Sequence, residues 1–155
     1  MAYNYMLQMI MGALFFILFS FCSWYEGSEI LDNSWEWEYS THFSGNVSDA
    51  DDISNLDYFV YAAKFKPLFP VLMTLTASYM ILLTGFRLFK SSRAKKAIFL
   101  SGLGALFLFS SAVLFHSPTV GGDIYQVIFL SGGMLLILAA ALYYFRLLKG
   151  FVTVK

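Results

Sequence analysis

Two histidines, His42 and His116, are the first residues of this chain that suggest chemistry, because histidine is the most frequent metal ligand. His42 follows the carboxylates Glu36 and Glu38, and His116 precedes Asp123. None of these residues has the short spacing of a metal-binding motif, so a site would require the fold to bring the histidines together. We therefore predict no metal site, although the sequence leaves open whether His42 and His116 form one.

The acidic run Asp49-Ala50-Asp51-Asp52 is a second group of candidate ligands. Calcium prefers carboxylate oxygens, but a dedicated calcium loop also has a central glycine and a distal glutamate, which this run lacks. Acidic side chains are stabilising at a helix N-terminus, and Ser48 with Asp51 resembles a capping pair. Helix capping is therefore the preferred interpretation of this run.

The residue types that carry catalysis form no recognisable arrangement. Cys22 is the single cysteine, which excludes an intrachain disulfide and a paired-cysteine redox site. No combination of serine, histidine and acid indicates a nucleophile, and no glycine-rich loop lies between a strand and a helix. We predict a non-enzymatic protein without a cofactor.

Four long apolar segments must position these residues, and they cover residues 5–24, 68–86, 97–115 and 124–147. Each has about the 20 residues that a helix needs to cross a membrane. Their interiors contain no Asp, Glu, Lys, Arg or His, so they offer neither a proton relay nor a haem ligand. We predict an all-α membrane protein, with residues 1–155 forming a single four-span domain.

Basic residues determine the predicted orientation. The first span has no Lys or Arg before it, which argues against a cleaved signal peptide. Two groups of basic residues lie at or just after the ends of the second and fourth spans: Arg87, Lys90, Arg93, Lys95 and Lys96, and then Arg146, Lys149 and Lys155. The positive-inside rule places both groups and both termini in the cytoplasm. Residues 25–66, which hold nine of the ten carboxylates, then form an extracytoplasmic loop inserted between two spans.

Strict alternation predicts a β-strand within this loop, over residues 35–44. One side of that strand carries Trp35, Trp37, Tyr39, Thr41 and Phe43. A lone strand is not stable, so it requires a partner. Gly27 to Leu31, folded back as a short β-hairpin, is one candidate, and a strand from another subunit is the alternative.

The rest of the loop predicts an amphipathic helix on the outer membrane surface. Ile53, Leu56, Val60 and Ala63 recur at helical spacing. Tyr58, Phe59 and Tyr61 suit an interfacial aromatic belt, and Lys64 and Lys66 can extend towards lipid headgroups.

The loop is also the predicted site of function. Trp35, Trp37, Tyr39 and Phe43 are the candidate binding residues, because aromatic side chains dominate protein interfaces. Their partner would be a membrane or cell-surface protein or a second copy of the chain, in addition to the lipid bilayer, and not nucleic acid. Packing of these aromatics on the outer end of the helices is the structural alternative. A small cation channel or transporter subunit is the functional alternative, with an acidic mouth and Thr74, Thr76 and Ser78 lining a path.

Two parts of the loop carry a family resemblance: residues 23–29, SWYEGSE, and residues 35–44, WEWEYSTHFS. They resemble a family of small uncharacterised integral membrane proteins of bacilli, grouped as a domain of unknown function. The resemblance implies a bacterial plasma-membrane location and no known activity or site residues. The layout is also similar to that of claudin-like four-helix proteins, but their loop cysteines are absent here, so this likeness concerns architecture alone.

Overall fold

The computed structural model describes the backbone of residues 2–152 and the side chains of residues 3–145. The long helices are α1 (Ala2–Gly27), α4 (Leu68–Leu88), α5 (Arg93–Leu114) and α6 (Val120–Val152). Residues 28–67, called the connector below, join α1 to α4. The connector contains 3₁₀ turns at Ser28–Asp32, Ser34–Glu36 and Ala50–Asp52 and the helices α2 (Trp37–Ser40) and α3 (Asn55–Phe65).

Each of the four long helices contains a segment long and apolar enough to cross a membrane. The predicted spans 5–24, 68–86 and 124–147 lie within them, and the span 97–115 ends one residue beyond α5, which confirms the helical part of the predicted fold class. Local sequence explains their starts. Pro67 and Pro70 lie at the beginning of α4, where a missing N–H costs no helical hydrogen bond. The Ser92 side chain caps α5 by accepting a hydrogen bond from Lys95 N, at 3.3 Å. The basic side chains predicted after the fourth span, from Arg146 onwards, lie outside the described side chains.

The chain divides into two compact units. The first contains the residues up to Met80 together with Thr119–Gly122, and the second contains Ile81–Pro118 and the residues from Asp123 onwards. In the second unit, Gly104 on α5 and Gly133 on α6 bring the two backbones close. A Cβ added to either glycine would lie 3.1 Å from the carbonyl oxygen of the other. Such small residues let apolar helices approach closely.

The first unit contains a small core inside the connector. Its buried members are Ile30, Ile53, Tyr58 and Tyr61, and Trp24, Leu31, Trp37 and Val47 pack against them. Two glycines hold backbones against α3. A Cβ on Gly27 would overlap the carbonyl oxygen of Tyr58, and a Cβ on Gly121 would overlap that of Ala63. The end of α1 and the start of α6 therefore both touch the α3 backbone directly.

The predicted β-hairpin is wrong, because no part of residues 2–152 forms a strand. Residues 28–32 form a 3₁₀ turn, and residues 34–40 form a short, continuous helical stretch. Helical spacing explains what faces inwards, since Trp37, Ser40 and Thr41 are three and four residues apart. Ser40 is completely buried, whereas Trp35 is 88% exposed. Large aromatic side chains therefore alternate with smaller or charged ones along this segment, but buried residues do not alternate with exposed ones.

The predicted amphipathic helix exists, but its start and its buried face are different. It begins at Asn55, where the Ser54 side chain caps it by accepting from Leu56 N at 3.3 Å. Its buried residues are Asp57, Tyr58, Tyr61 and Ala62, whereas Leu56 is 54% exposed. Tyr58 and Tyr61 are thus core residues of the connector and not an interfacial belt. Asp49 and Asp52 form a capping box on the preceding 3₁₀ turn, which replaces the predicted pair of Ser48 and Asp51.

Candidate binding surface of the connector

Three of the four predicted binding residues are exposed on the connector. Trp35 is 88% exposed, and Tyr39 and Phe43 are each 62% exposed. Trp35 and Tyr39 are four residues apart in one helical stretch, so they share its outer face. The fourth residue, Trp37, packs against the connector core and donates its indole N–H to Ile30 O at 2.8 Å. We refer to Trp35, Tyr39 and Phe43 as the exposed aromatics.

Asp57 fixes the segment that carries Phe43. This carboxylate is completely buried and accepts hydrogen bonds from Phe43 N and Ser44 N, both at 2.9 Å, and from the Ser44 hydroxyl. The Ser44 oxygen accepts in turn from Ser54 N at 2.6 Å. A buried carboxylate with several donors is well satisfied, so this cluster joins residues 43–44 firmly to the start of α3. Sequence reasoning counted Asp57 only as part of the acidic loop, although its place among the apolar residues of α3 is a usable signal.

Lys64 fixes the segment that carries Tyr39. Its ammonium group donates to the backbone oxygen of Tyr39 and to the Ser40 hydroxyl, the latter at 3.2 Å. Burial lowers the pKa of Lys64, and the Glu36 carboxylate partly offsets that effect. Lys64 therefore joins α3 to α2 and does not extend towards lipid headgroups as predicted.

Lys66, by contrast, forms an exposed ion pair with Glu29, with 3.1 Å between Nζ and Oε1. The hydrogen bond that Lys66 donates to Glu29 and the negative charge of Glu29 raise the pKa of Lys66. The neighbouring Tyr61 hydroxyl accepts a hydrogen bond from Asn33 at 2.9 Å. Its pKa is raised, first by burial and then by the negative charges of Glu29 and Glu36.

These two lysines provide a matched comparison. We expect Lys64→Met to lower the free energy of unfolding of the connector by about 1–2 kcal/mol, because a partly buried ammonium with two acceptors is lost. We expect Lys66→Met to lower it much less than Lys64→Met does, because exposed ion pairs contribute little. Denaturant unfolding followed by tryptophan fluorescence measures both, since all three tryptophans lie at residues 24–37. Equal losses would contradict the role assigned to Lys64.

A polar cleft of about 420 Å³ lies beside α2. It is lined by Ser34, Trp37, Glu38 and Thr41 and, further along the chain, by Gly45, Asn46 and Val47. Gly45 has a φ of 76°, a left-handed backbone conformation that glycine adopts readily. The Glu38 side chain is exposed and has no hydrogen-bond or ion-pair partner among the described residues. Sequence reasoning missed this cleft because it depends on the helical conformation of residues 34–40.

Both histidines considered as metal ligands are exposed. His42 is exposed on the connector, in the first unit, and His116 is exposed in the second unit, where it lies edge-on to Phe115. Within the described part of the chain, no three metal-binding side chains are grouped so that they could hold an ion.

The Thr76 and Ser78 hydroxyls donate to carbonyl oxygens four residues earlier in α4, at 2.7 and 2.8 Å. Thr74 donates in the same way to Pro70 O, at 2.9 Å.

These features define a helical protein with four helices long and apolar enough to cross a membrane and a folded polar connector between the first two. Residues 6–89 match a family described as a domain of unknown function, DUF4306, and the chain belongs to that family. The match extends from α1 through the connector to the end of α4, so it confirms the predicted domain-of-unknown-function family.

The chain is also similar to the uncharacterized protein YjdJ of Bacillus subtilis (strain 168). The two are 30% identical over 80 residues, which cover 48% of this chain and 73% of that protein. No solved structure matches the chain significantly.

Proposed function

We propose that this chain is a non-enzymatic, multi-pass protein of a bacterial plasma membrane, and that its connector binds a protein partner outside the cytoplasm. Four apolar helices of spanning length support the membrane location, and the similarity to a Bacillus subtilis protein supports the bacterial one. The basic residues after α4 and in the last part of α6 support a cytoplasmic location for both termini. The connector then lies on the opposite side of the membrane.

The exposure of Trp35, Tyr39 and Phe43 is the observation that carries the binding proposal. Large aromatic side chains usually contribute to a core, but the connector core is built from other residues, including Trp37. Single exposed apolar residues are common, whereas three large aromatics within nine residues are a concentration typical of interfaces. Asp57 and Lys64 hold the backbone beneath two of them. A surface fixed in this way loses little conformational entropy on binding, which favours affinity.

The chemistry of the connector restricts its partner. Residues 25–66 contain nine carboxylates and two lysines, so the surface is strongly acidic and unsuited to nucleic acid. We propose a membrane or cell-surface protein as the partner, or a second copy of this chain. In either case the exposed aromatics would supply the apolar centre of the interface and the acidic side chains its rim.

The proposal predicts that the double substitution Trp35→Ala with Tyr39→Ala weakens partner binding by about 30-fold or more, as loss of an interface hot spot does. A photo-crosslinking amino acid in place of Phe43 would capture and identify the partner in intact cells. Its affinity for the purified protein would then be measured in lipid nanodiscs. Leu56→Ala is the matched control, because Leu56 is also an exposed apolar residue of the connector. Unchanged affinity in the double variant would overturn the proposal.

A further inference from the structure

The lining of the polar cleft beside α2 includes one unpaired carboxylate, that of Glu38, and one aromatic residue, Trp37. The Glu38 carboxylate is unpaired among the described residues, whereas the indole N–H of Trp37 is already used by Ile30 O. Trp37, which also lines the cleft, therefore has no free indole donor for a ligand. The Thr41 hydroxyl donates to Trp37 O, which leaves its oxygen as an acceptor. Of the other described side chains in the lining, the Ser34 hydroxyl and the Asn46 amide can each donate or accept, so the Glu38 carboxylate is the one charged group of the cleft.

The charge around the cleft favours a cation. Both lysines of the connector are already engaged, Lys64 with α2 and Lys66 with Glu29. They therefore do not neutralise Glu38, and Glu36 next to it along the chain adds to the negative potential. Clefts lined by one sign of charge attract ligands of the opposite sign. The required ligand carries a positive charge, several donors and a flat surface.

We propose that this cleft binds an arginine side chain of the protein partner, with Glu38 as its counter-ion and Trp37 as its stacking surface. A guanidinium group is planar, carries five N–H donors and stacks on aromatic rings while it binds a carboxylate. Lysine has no such plane, so it can contact the ring through its charge but cannot stack on it as a guanidinium does. This inference rests on the proposed function, because it names the chemistry by which the same partner is recognised.

The test uses the full chain in nanodiscs of neutral lipid and three capped tetrapeptides, of arginine, lysine and citrulline. Citrulline has nearly the shape of arginine without its charge. The Trp37 indole resonance in NMR spectra reports the binding. We expect the arginine peptide to bind at least about fivefold more tightly than the lysine peptide and the citrulline peptide not to bind. Glu38→Gln should weaken arginine binding by about tenfold, whereas Asp51→Asn, the matched loss of an exposed connector carboxylate away from the cleft, should change it less than twofold.

Three results would overturn the inference. Equal losses in Glu38→Gln and Asp51→Asn would indicate diffuse attraction to an acidic surface, and equal binding of the arginine and lysine peptides would exclude a guanidinium site. Binding of choline in place of arginine, with the same dependence on Glu38, would assign the cleft to a lipid headgroup. Circular dichroism verifies that each variant is folded.

The partner captured by crosslinking separates this inference from the proposed function. If Glu38→Gln binds that partner normally while the Trp35 and Tyr39 double variant does not, the cleft inference fails and the proposed function stands. If the double variant binds the partner normally, the proposed function fails whatever the peptides show.

Discussion

Replacing Asp57 with alanine is expected to lower the free energy of unfolding of the connector by about 3 kcal/mol. The carboxylate accepts three hydrogen bonds in a completely buried position, and two come from backbone N–H groups that cannot turn elsewhere. A hydrogen bond to a charged group contributes about 1.5–3 kcal/mol, and an unsatisfied donor costs a similar amount. Partial access of water to residues 43–44 keeps the expected total below the sum of these contributions.

Hydrogen exchange of the full chain in nanodiscs would measure this effect. We expect the amides of Phe43 and Ser44 to exchange faster in Asp57→Ala than in the unsubstituted protein. In Asp57→Asn they should exchange nearly as fast as in Asp57→Ala, because an amide nitrogen cannot accept from Ser44. Asp51→Ala is the control, since Asp51 is exposed and should change stability by less than about 0.5 kcal/mol. Similar exchange in Asp57→Ala and Asp51→Ala would show that the buried carboxylate does not hold this segment.

Replacing Gly27 with alanine is the second change with a large expected effect. The added methyl group would overlap the Tyr58 carbonyl oxygen, which belongs to the α3 backbone and not to a movable side chain. Overpacking in a well-packed interior costs about 1–3 kcal/mol, and a contact with backbone lies at the upper end of that range or above it. We expect α3 to shift away from α1 and the indole N–H of Trp24 to lose its 3.2 Å hydrogen bond to Asn55 Oδ1.

Thermal unfolding followed by tryptophan fluorescence tests this prediction. Gly102→Ala is the control, because a Cβ at Gly102, in the interior of α5, meets no atom within 4 Å. Alanine in a helix interior is favoured over glycine by up to about 1 kcal/mol, so the control should be neutral or slightly more stable. An equal or higher transition temperature for Gly27→Ala would refute the close approach of α1 and α3.

The long helices could be predicted from sequence because their signal is composition over about 20 residues. Residues 5–24 and 97–115 remain apolar whichever face they present, so no error of register affects them. The structure of the connector, by contrast, depends on which face of each segment is buried. Trp35 to Phe43 alternates in size and polarity, which satisfies a strand pattern, but the same residues satisfy a helical one. Trp37 packs against the connector core and donates its indole N–H to Ile30 O, and these contacts favour the helix. They cannot be read from the local sequence.

The candidate surface was predictable in composition but not in detail. Aromatic content drew attention to residues 35–43, and three of the four residues named there are exposed. The fourth, Trp37, belongs to the core, because exposure in a helix follows a spacing of three and four residues. The contribution of Asp57 was hidden because its donors lie 13 and 14 residues away along the chain. Glu38 became a candidate only when residues 45–47 were placed in the same cleft.

The contact between Gly121 and Ala63 gives the connector an order of assembly during translation. The connector core and its hydrogen-bonded ties involve residues between Trp24 and Lys66, so they can form while the ribosome is still synthesising α5. Gly121 emerges more than fifty residues later and only then covers the α3 backbone at Ala63. The connector can thus fold early. The start of α6 packs against it later, because Gly121 is distant from Ala63 in the sequence.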